Sequence, residues 1–224
     1  MTNRRNYFAD RREAGRELAL AVAELGLEEP VILALPRGGV PVGYEVAKRL
    51  DAPLDILLVR KISAPGHEEY GIGALVDGAS PQIVIDEEIA RMVGADSAYI
   101  ERQVARELAE IERRRAAYRT GPAVPLAGRT VVVVDDGIAT GGTVKAALKA
   151  LRKSGADRIV LAVPVAPRSS LQELAALADE IVCLSTPEPF YAVGAHYGNF
   201  DQTADREVVD LLAAARERPR ASQA

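Results

Sequence analysis

The sequence has few of the residues on which several common kinds of site and crosslink depend. Its 224 residues include one cysteine, Cys183, so no internal disulfide can form. Only two histidines are present, His67 and His196, and no Ser/His/Asp or Cys/His constellation is evident. The sequence therefore excludes an internal disulfide and gives no support to catalysis through a covalent nucleophile.

Long apolar runs and an excess of basic residues are also missing. No run approaches the roughly 20 apolar residues that a membrane-spanning helix requires, and the N-terminal stretch MTNRRNYFADRREAGREL has no apolar segment of signal-peptide length. The formal net charge of -4 argues against a general nucleic-acid binder. We therefore expect a cytoplasmic protein that binds neither membranes nor nucleic acids. A small anionic ligand is compatible with this charge, because a local pocket need not follow the total.

The sequence alternates between apolar strands and helices. The predicted strands lack polar alternation, as in parallel sheets covered by helices on both faces. They are VILAL (31–35), LDILLVRK (54–61), QIVID (82–86), VVVV (131–134), RIVLAVPV (158–165) and EIVCL (180–184). This pattern predicts an α/β fold with a parallel sheet core, in a single domain spanning residues 1–224 whose core covers about residues 28–185.

Ligands of such sheets bind beyond the carboxyl ends of the strands, so the loops that follow strands are the candidate sites. Three loops qualify: PRGG at residues 36–39, a polar and glycine-rich stretch at residues 62–81, and DDGIATGGT at residues 135–143. A connection of about 20 residues inside a compact domain is typical of a functional loop. We therefore predict that residues 62–81 form a flexible loop.

The stretch 135–143 combines two acids with a small-residue turn that opens a helix. Unpaired backbone N–H groups and the helix dipole favour a phosphate at such a turn. The adjacent carboxylates of Asp135 and Asp136 suit sugar hydroxyls, or a Mg²⁺ ion that a phosphate shares. A sugar phosphate satisfies both requirements, whereas the alternative is an ordinary strand-to-helix turn with capping side chains. The candidate phosphate-binding residues are Ala139, Thr140, Gly141, Gly142 and Thr143.

The stretch VVVVDDGIATGGT resembles the 5-phosphoribosyl-1-pyrophosphate (PRPP) binding motif of the type I phosphoribosyltransferases. That motif consists of an apolar strand, two adjacent acids and a Thr/Gly phosphate loop. The resemblance implies that Asp135 and Asp136 hold the ribose hydroxyls, that the same two acids are the candidate metal ligands, and that residues 139–143 hold the 5-phosphate.

The resemblance also gives roles to the other two loops. LPRGGVP is similar to the family's pyrophosphate loop, in which Arg37 and backbone N–H groups near Gly38 bind the diphosphate, often with an unusual cis peptide. Lys61 stands where the predicted flexible loop begins, so we expect it to reach the pyrophosphate while the loop folds over the site. Arg37, Lys61, Asp135 and Asp136 are therefore the candidate catalytic residues.

The activity that the resemblance implies is Mg²⁺-dependent transfer of phosphoribosyl from PRPP to a nitrogen acceptor, a nucleobase-like ring, with release of pyrophosphate. A small hood is expected from residues 187–203 and the N-terminal segment around Tyr7 and Phe8, and we also expect a homodimer. The hood aromatics either stack on the acceptor or form a local core: Phe190, Tyr191, Tyr197 and Phe200. The alternative function is a non-catalytic regulator that binds PRPP or a nucleotide. The missing GxGxxG pattern disfavours a dinucleotide oxidoreductase.

Overall fold

A five-stranded parallel sheet forms the centre of the protein. The computed structural model describes residues 7–77, 81–118 and 121–218. The strand order is β2-β1-β6-β7-β8, and the registers of neighbouring strands place Val31 of β1 opposite Val131 of β6. The strands are β1 (Val31–Ala34), β2 (Leu54–Ile56), β6 (Thr130–Val134), β7 (Arg158–Val165) and β8 (Glu180–Ser185). This arrangement confirms the predicted α/β fold class.

Helices cover both faces of this sheet, which explains why its strands are apolar on both sides. On one face, Ile32 and Val132 pack against α1, α2, α4 and α7; on the other, Val31 and Val131 pack against α5 and α6. All four valines of the run 131–134 are fully buried as a result. The helices are α1 (Arg11–Ala23), α2 (Gly39–Arg49), α3 (Glu87–Met92), α4 (Ser97–Tyr118), α5 (Gly142–Lys153), α6 (Arg168–Leu174) and α7 (Asp205–Glu217).

A second, antiparallel sheet occupies most of the segment that the sequence analysis treats as a loop. Its strands are β3 (Val59–Ala64), β4 (His67–Val76) and β5 (Gln82–Ile85), in that order. The flexible loop predicted for residues 62–81 is therefore mostly strand, and residues 78–80 lie outside the described residues. Ile62 and Ile72 are fully buried in a small separate core with α3 and α4. We call β3, β4 and β5 the arm; its mobility stays a prediction.

The predicted strand LDILLVRK also divides between the two sheets. The residues of β2 pair with β1, and after Leu57 and Leu58 the chain enters β3 of the arm. QIVID, predicted as a further strand of the same sheet, supplies β5 and pairs with β4 instead. LDILLVRK is apolar on both sides of the point where β2 ends and β3 begins, so the hydrophobic pattern does not reveal the change from one sheet to the other.

The N-terminal segment joins the C-terminal part of the chain to form the small hood. Phe8 bridges to Tyr197: its N–H donates to the carbonyl of His196 at 2.8 Å, and its carbonyl accepts from the N–H of Gly198 at 2.7 Å. A short 3₁₀ helix (Val193–His196) lies within this region. Among the described residues, none of the helices is both long and apolar enough to cross a membrane.

Candidate functional site

The acid pair lies directly at the carboxyl end of β6, the middle strand of the parallel sheet. The N–H of Asp136 donates to Oδ1 of Asp135 at 2.9 Å, which holds the two acids in a fixed relation. Desolvation raises the pKa of Asp135 well above its usual value, and the negative charge of Asp136 raises it further. The pKa of Asp136 is raised as well, by desolvation, and the hydrogen bond from Arg11 opposes that rise. The pair is therefore an electrostatically costly arrangement that a cationic or hydroxyl-rich ligand would relieve.

Arg11 is a residue of this site that the sequence analysis missed. It is the first residue of α1, and its Nε donates to Oδ2 of Asp136 at 2.7 Å. Its guanidinium also donates to the carbonyl of Asp201 at 2.8 Å and lies 4.0 Å from the ring centroid of Phe200. No motif marks this arginine, because its partners are 125 and 190 residues away in sequence.

The loop at residues 36–39 packs against the acid pair because β1 and β6 are neighbours in the sheet. A Cβ built on Gly38 would lie 1.9 Å from Oδ2 of Asp136, and one built on Gly39 would lie 2.7 Å from the carbonyl oxygen of Val134. Only glycine fits at this distance, so the two loops form one continuous surface. The peptide between Pro36 and Arg37, within this loop, is cis.

Two backbone N–H groups of this loop are candidates for binding an anion. The N–H of Gly39 donates to Leu35 and the N–H of Val40 donates to Arg37, both within the turn. Within the described chain, no carbonyl or side chain accepts from the N–H groups of Arg37 and Gly38. The use of this loop to bind a diphosphate stays a prediction.

The side chain of Arg37 is held by residues from two helices that the sequence analysis did not connect with it. Its guanidinium lies 3.4 Å from Asp205, the first residue of α7, and the hydroxyl of Tyr118, the last residue of α4, donates to the same carboxylate at 2.6 Å. The hydrogen bond from Tyr118 lowers the pKa of Asp205. Asp205 therefore provides an acceptor that holds the Arg37 guanidinium near the loop.

The predicted phosphate loop forms the turn that opens α5. Gly141 precedes the helix with a φ of 76°, a left-handed conformation that favours glycine. Thr140, Gly142 and Thr143 are exposed, so a ligand can reach this turn. The buried Ser170 of α6 donates from its hydroxyl to the carbonyl of Ala139 at 2.7 Å, which fixes the outer side of the turn. The start of α5 thus has the geometry of an anion site at a helix N-terminus.

Lys61 lies in the arm and not at the edge of the parallel sheet. It is exposed on β3, opposite Ala74 on β4, and its aliphatic chain crosses the face of Gly71. The arm in turn contacts α5 through β3, β4 and β5. Its reach to a pyrophosphate stays a prediction.

The hood closes one side of the acid pair. A Cβ on Gly137 would lie 2.5 Å from Val193, and the hydroxyl of Tyr197 donates to the carbonyl of Asp136 at 2.5 Å. Burial, together with the charge of Asp136, raises the pKa of Tyr197, so the phenol remains protonated and a donor. Tyr197 and Phe8 form a local core, whereas Tyr191 is 82% exposed. Of the two interpretations of the hood aromatics, local core therefore holds for Tyr197.

Together these elements define an α/β protein whose site lies at the carboxyl edge of a parallel sheet. Two acids, a glycine-rich helix start and a glycine turn meet where neighbouring strands end. This arrangement is typical of proteins of this class that bind phosphorylated ligands.

The chain belongs to the phosphoribosyl transferase family. It matches the family model of the phosphoribosyl transferase domain over residues 10–197, which includes α1, the acid pair and most of the hood. This confirms the predicted family.

Two relatives of known sequence are similar over different lengths. A Mycobacterium tuberculosis H37Rv protein, Rv0571c, provisionally named a phosphoribosyl transferase, is 48% identical over 206 residues, which are 92% of this chain and 46% of the relative. A ribose-phosphate pyrophosphokinase of Prochlorococcus marinus is 30% identical over 166 residues, covering 68% of this chain and 45% of that protein. The chain therefore spans about half the length of these curated relatives.

A solved structure is also similar to this chain. The crystal structure of TT1426 from Thermus thermophilus superposes with a TM-score of 0.83 and is 45% identical in sequence, covering 93% of this chain and 98% of that one. The shared fold extends over nearly the whole of both proteins.

Proposed function

We propose that this protein is a phosphoribosyltransferase that binds PRPP with Mg²⁺ and transfers the phosphoribosyl group to a nitrogen acceptor, releasing pyrophosphate. The observation that carries the proposal is the contact between the two loops: Gly38 lies against the carboxylate of Asp136, and α5 begins a few residues further along the chain. PRPP carries a phosphate, two ribose hydroxyls and a diphosphate on one small sugar. Each of these groups has a matching surface at this edge of the sheet.

The 5-phosphate, the ribose hydroxyls and the diphosphate of PRPP would each bind to a different one of the three surfaces. Residues 139–143 would bind the 5-phosphate through backbone N–H groups and the hydroxyls of Thr140 and Thr143. The carboxylates of Asp135 and Asp136 would accept hydrogen bonds from the ribose hydroxyls. Arg37 and the neighbouring N–H groups would bind the diphosphate, whose negative charge suits a guanidinium that donates in a planar fork.

The donor set at the acid pair fits a metal ion that the substrate shares. Among the described residues, no group of three or more His, Cys, Asp or Glu side chains gathers where it could hold a metal. Mg²⁺ commonly binds through one or two carboxylates and completes its coordination with water and substrate phosphate oxygens. Asp135 and Asp136 would supply the protein ligands for such an ion. When bound, it would neutralise charge on the diphosphate.

The reaction needs little covalent chemistry from the protein. The bond between C1 of PRPP and the diphosphate oxygen breaks, and pyrophosphate leaves with the electron pair. A bond from the acceptor nitrogen to C1 forms, and the proton of that nitrogen would pass to the released pyrophosphate. Arg37 and Lys61 would stabilise the charge that develops on the pyrophosphate, which is the main electrostatic contribution at such a centre. The arm would exclude water from the cationic sugar carbon.

The acceptor would lie beside the hood, where Val193 rests on the loop after β6. Because Tyr197 is buried in the local core and Phe190 stacks on His196 with ring centroids 5.7 Å apart, Tyr191 is the hood aromatic most open to a ligand. A planar ring could stack on its exposed face. A panel of purines, pyrimidines and related heterocycles, followed by release of pyrophosphate from PRPP, would identify the acceptor. Tight PRPP binding with no turnover across the panel would favour the non-catalytic regulator.

Replacing Asp136 with asparagine should weaken Mg²⁺-dependent PRPP binding at least about tenfold, because a hydrogen bond to a charged group contributes about 1.5–3 kcal/mol. Calorimetry with PRPP and Mg²⁺ is the direct measurement. Asp210→Asn is the matched control, since Asp210 is exposed on α7 and its replacement changes the net charge equally. Equal affinity of Asp136→Asn and wild type for PRPP would reject the proposed function.

Replacing Thr140 with valine should weaken binding of ribose 5-phosphate by about 1.5–3 kcal/mol, because a desolvated phosphate loses one hydroxyl donor. Thr140→Ser keeps the hydroxyl and should bind nearly as wild type does. Competition calorimetry with ribose 5-phosphate separates the two variants. If the valine variant binds as tightly as the serine variant, the phosphate lies elsewhere.

A further inference from the structure

Arg11 contacts each of the segments that enclose the acid pair. It forms an ion pair with Asp136 on the loop after β6, stacks on Phe200 and donates to the Asp201 carbonyl in the C-terminal segment. A Cβ on Gly38 would lie 3.1 Å from its Nε, so the guanidinium also borders the glycine loop after β1. One side chain therefore joins the N-terminal helix to the surfaces that would bind PRPP.

The position of Arg11 is not explained by the stability of its own helix. Arg11 is the first residue of α1, where the positive end of the helix dipole disfavours a cation. Exposed ion pairs contribute little to stability, but the side chains of this pair are only 11% and 15% exposed. Both ions have therefore lost most of their water, and each depends on the other for compensation.

The ion pair fixes which oxygen of Asp136 a ligand can use. Nε of Arg11 donates to Oδ2, which is also the oxygen that faces Gly38. Besides Arg11, the backbone N–H of Asp136 itself interacts with this carboxylate, and within the residues that the structure describes no other residue donates to Oδ1. An ionised carboxylate can accept several hydrogen bonds. Arg11 therefore holds one oxygen in place and leaves the other for the ligand.

We propose that Arg11 is a positioning residue of the PRPP site, which clamps Oδ2 of Asp136 so that Oδ1 is presented to a ribose hydroxyl or to the shared Mg²⁺. This inference rests on the proposed function. It implies that PRPP binding depends on the first turn of α1. Arg11 can hold the Asp136 carboxylate only when this helix packs against the loop after β6. The stacking of Phe200 on the guanidinium restricts its orientation.

The test is a double-mutant cycle measured as PRPP affinity in the presence of Mg²⁺. Arg11→Gln should weaken PRPP binding about tenfold in the wild-type background, but less than about twofold in the Asp136→Asn background, because the clamp then has no carboxylate to hold. Arg11→Lys keeps a charged donor and should recover most of the lost affinity. A residue that only stabilises the fold would lower affinity equally in both backgrounds.

The adjacent Arg12 provides the matched control. It lies on the same helix, pairs with Glu45 and stacks on Tyr44 at 4.8 Å from the ring centroid, yet it has no contact with the acid pair. Arg12→Gln should therefore leave PRPP affinity unchanged even if it lowers Tm. Wild-type affinity in Arg11→Gln, or an equal loss with and without Asp136, would overturn the inference. If instead Asp136→Asn alone binds PRPP as wild type does, the proposed function itself fails.

Discussion

Replacing Gly39 with alanine should both destabilise the protein and weaken PRPP binding. The added Cβ would lie 2.7 Å from the carbonyl oxygen of Val134 and 3.0 Å from Cα of Asp135. Both atoms belong to the backbone at the end of β6, so no side-chain rotation can relieve the overlap. Overpacking of this kind costs about 1–3 kcal/mol. The loop at residues 36–39 would have to move away from the acid pair, and the diphosphate surface would move with it.

Thermal unfolding and PRPP calorimetry measure the two effects of Gly39→Ala separately. In a domain of this size each kcal/mol corresponds to about 2–4 °C in Tm. Gly142→Ala is the control for stability, because a Cβ at Gly142 meets nothing within 4 Å. Its Tm should stay close to that of wild type. An unchanged Tm for Gly39→Ala would mean that the two loops are not packed as tightly as these distances require.

The parallel sheet and the phosphate loop could be predicted because their signals are local in sequence. A run such as VVVV is apolar at every position, and both of its faces are buried by helices, as a parallel sheet requires. The left-handed Gly141 and the exposed Thr140 and Thr143 follow directly in the chain. Neighbouring residues specify these features, so no knowledge of distant contacts is needed.

The strands of the arm could not be predicted because its glycines obscure the alternation of apolar residues. Ile72, Ala74 and Val76 of β4 are buried at alternate positions, as in a strand, although Leu75 between the last two is buried as well. Gly71 precedes Ile72 and Gly73 separates Ile72 from Ala74, so the glycine-rich composition favours a loop instead. A Cβ on Gly73 would lie 2.4 Å from the carbonyl of Val84 on β5, so this glycine permits close strand pairing.

Arg11 and Asp205 could not be found from the sequence, because their roles depend on long-range packing. Each stands at the first position of a helix whose composition is otherwise ordinary, among several other charged residues. Their partners, Asp136 and Arg37, belong to loops more than a hundred residues away. Contacts at such a separation are fixed by the docking of α1 and α7 on the sheet, which no single-sequence pattern specifies.

Replacing Asp135 with asparagine should weaken PRPP binding at least about tenfold, by loss of a charged acceptor, and at the same time raise the stability of the free protein. Asparagine can still accept the N–H of Asp136 through Oδ1, which Asp135 accepts at 2.9 Å. The substitution removes a desolvated charge beside a second acid, the two causes that raise the pKa of Asp135. A single stabilising substitution of this kind commonly raises the free energy of unfolding by about 0.5–2 kcal/mol.

The pH dependence of Tm tests the origin of this gain in stability. Because the pKa of Asp135 is raised in the folded protein, the folded state holds the proton more tightly than the unfolded chain does. Wild type therefore loses stability as the pH rises from the unfolded value, about 3.9, through the folded pKa. Asparagine has no proton to lose, so the Tm advantage of Asp135→Asn should be largest at neutral pH and shrink as the pH falls toward 4. A variant less stable than wild type at neutral pH would show that favourable contacts, and not repulsion, dominate at this carboxylate.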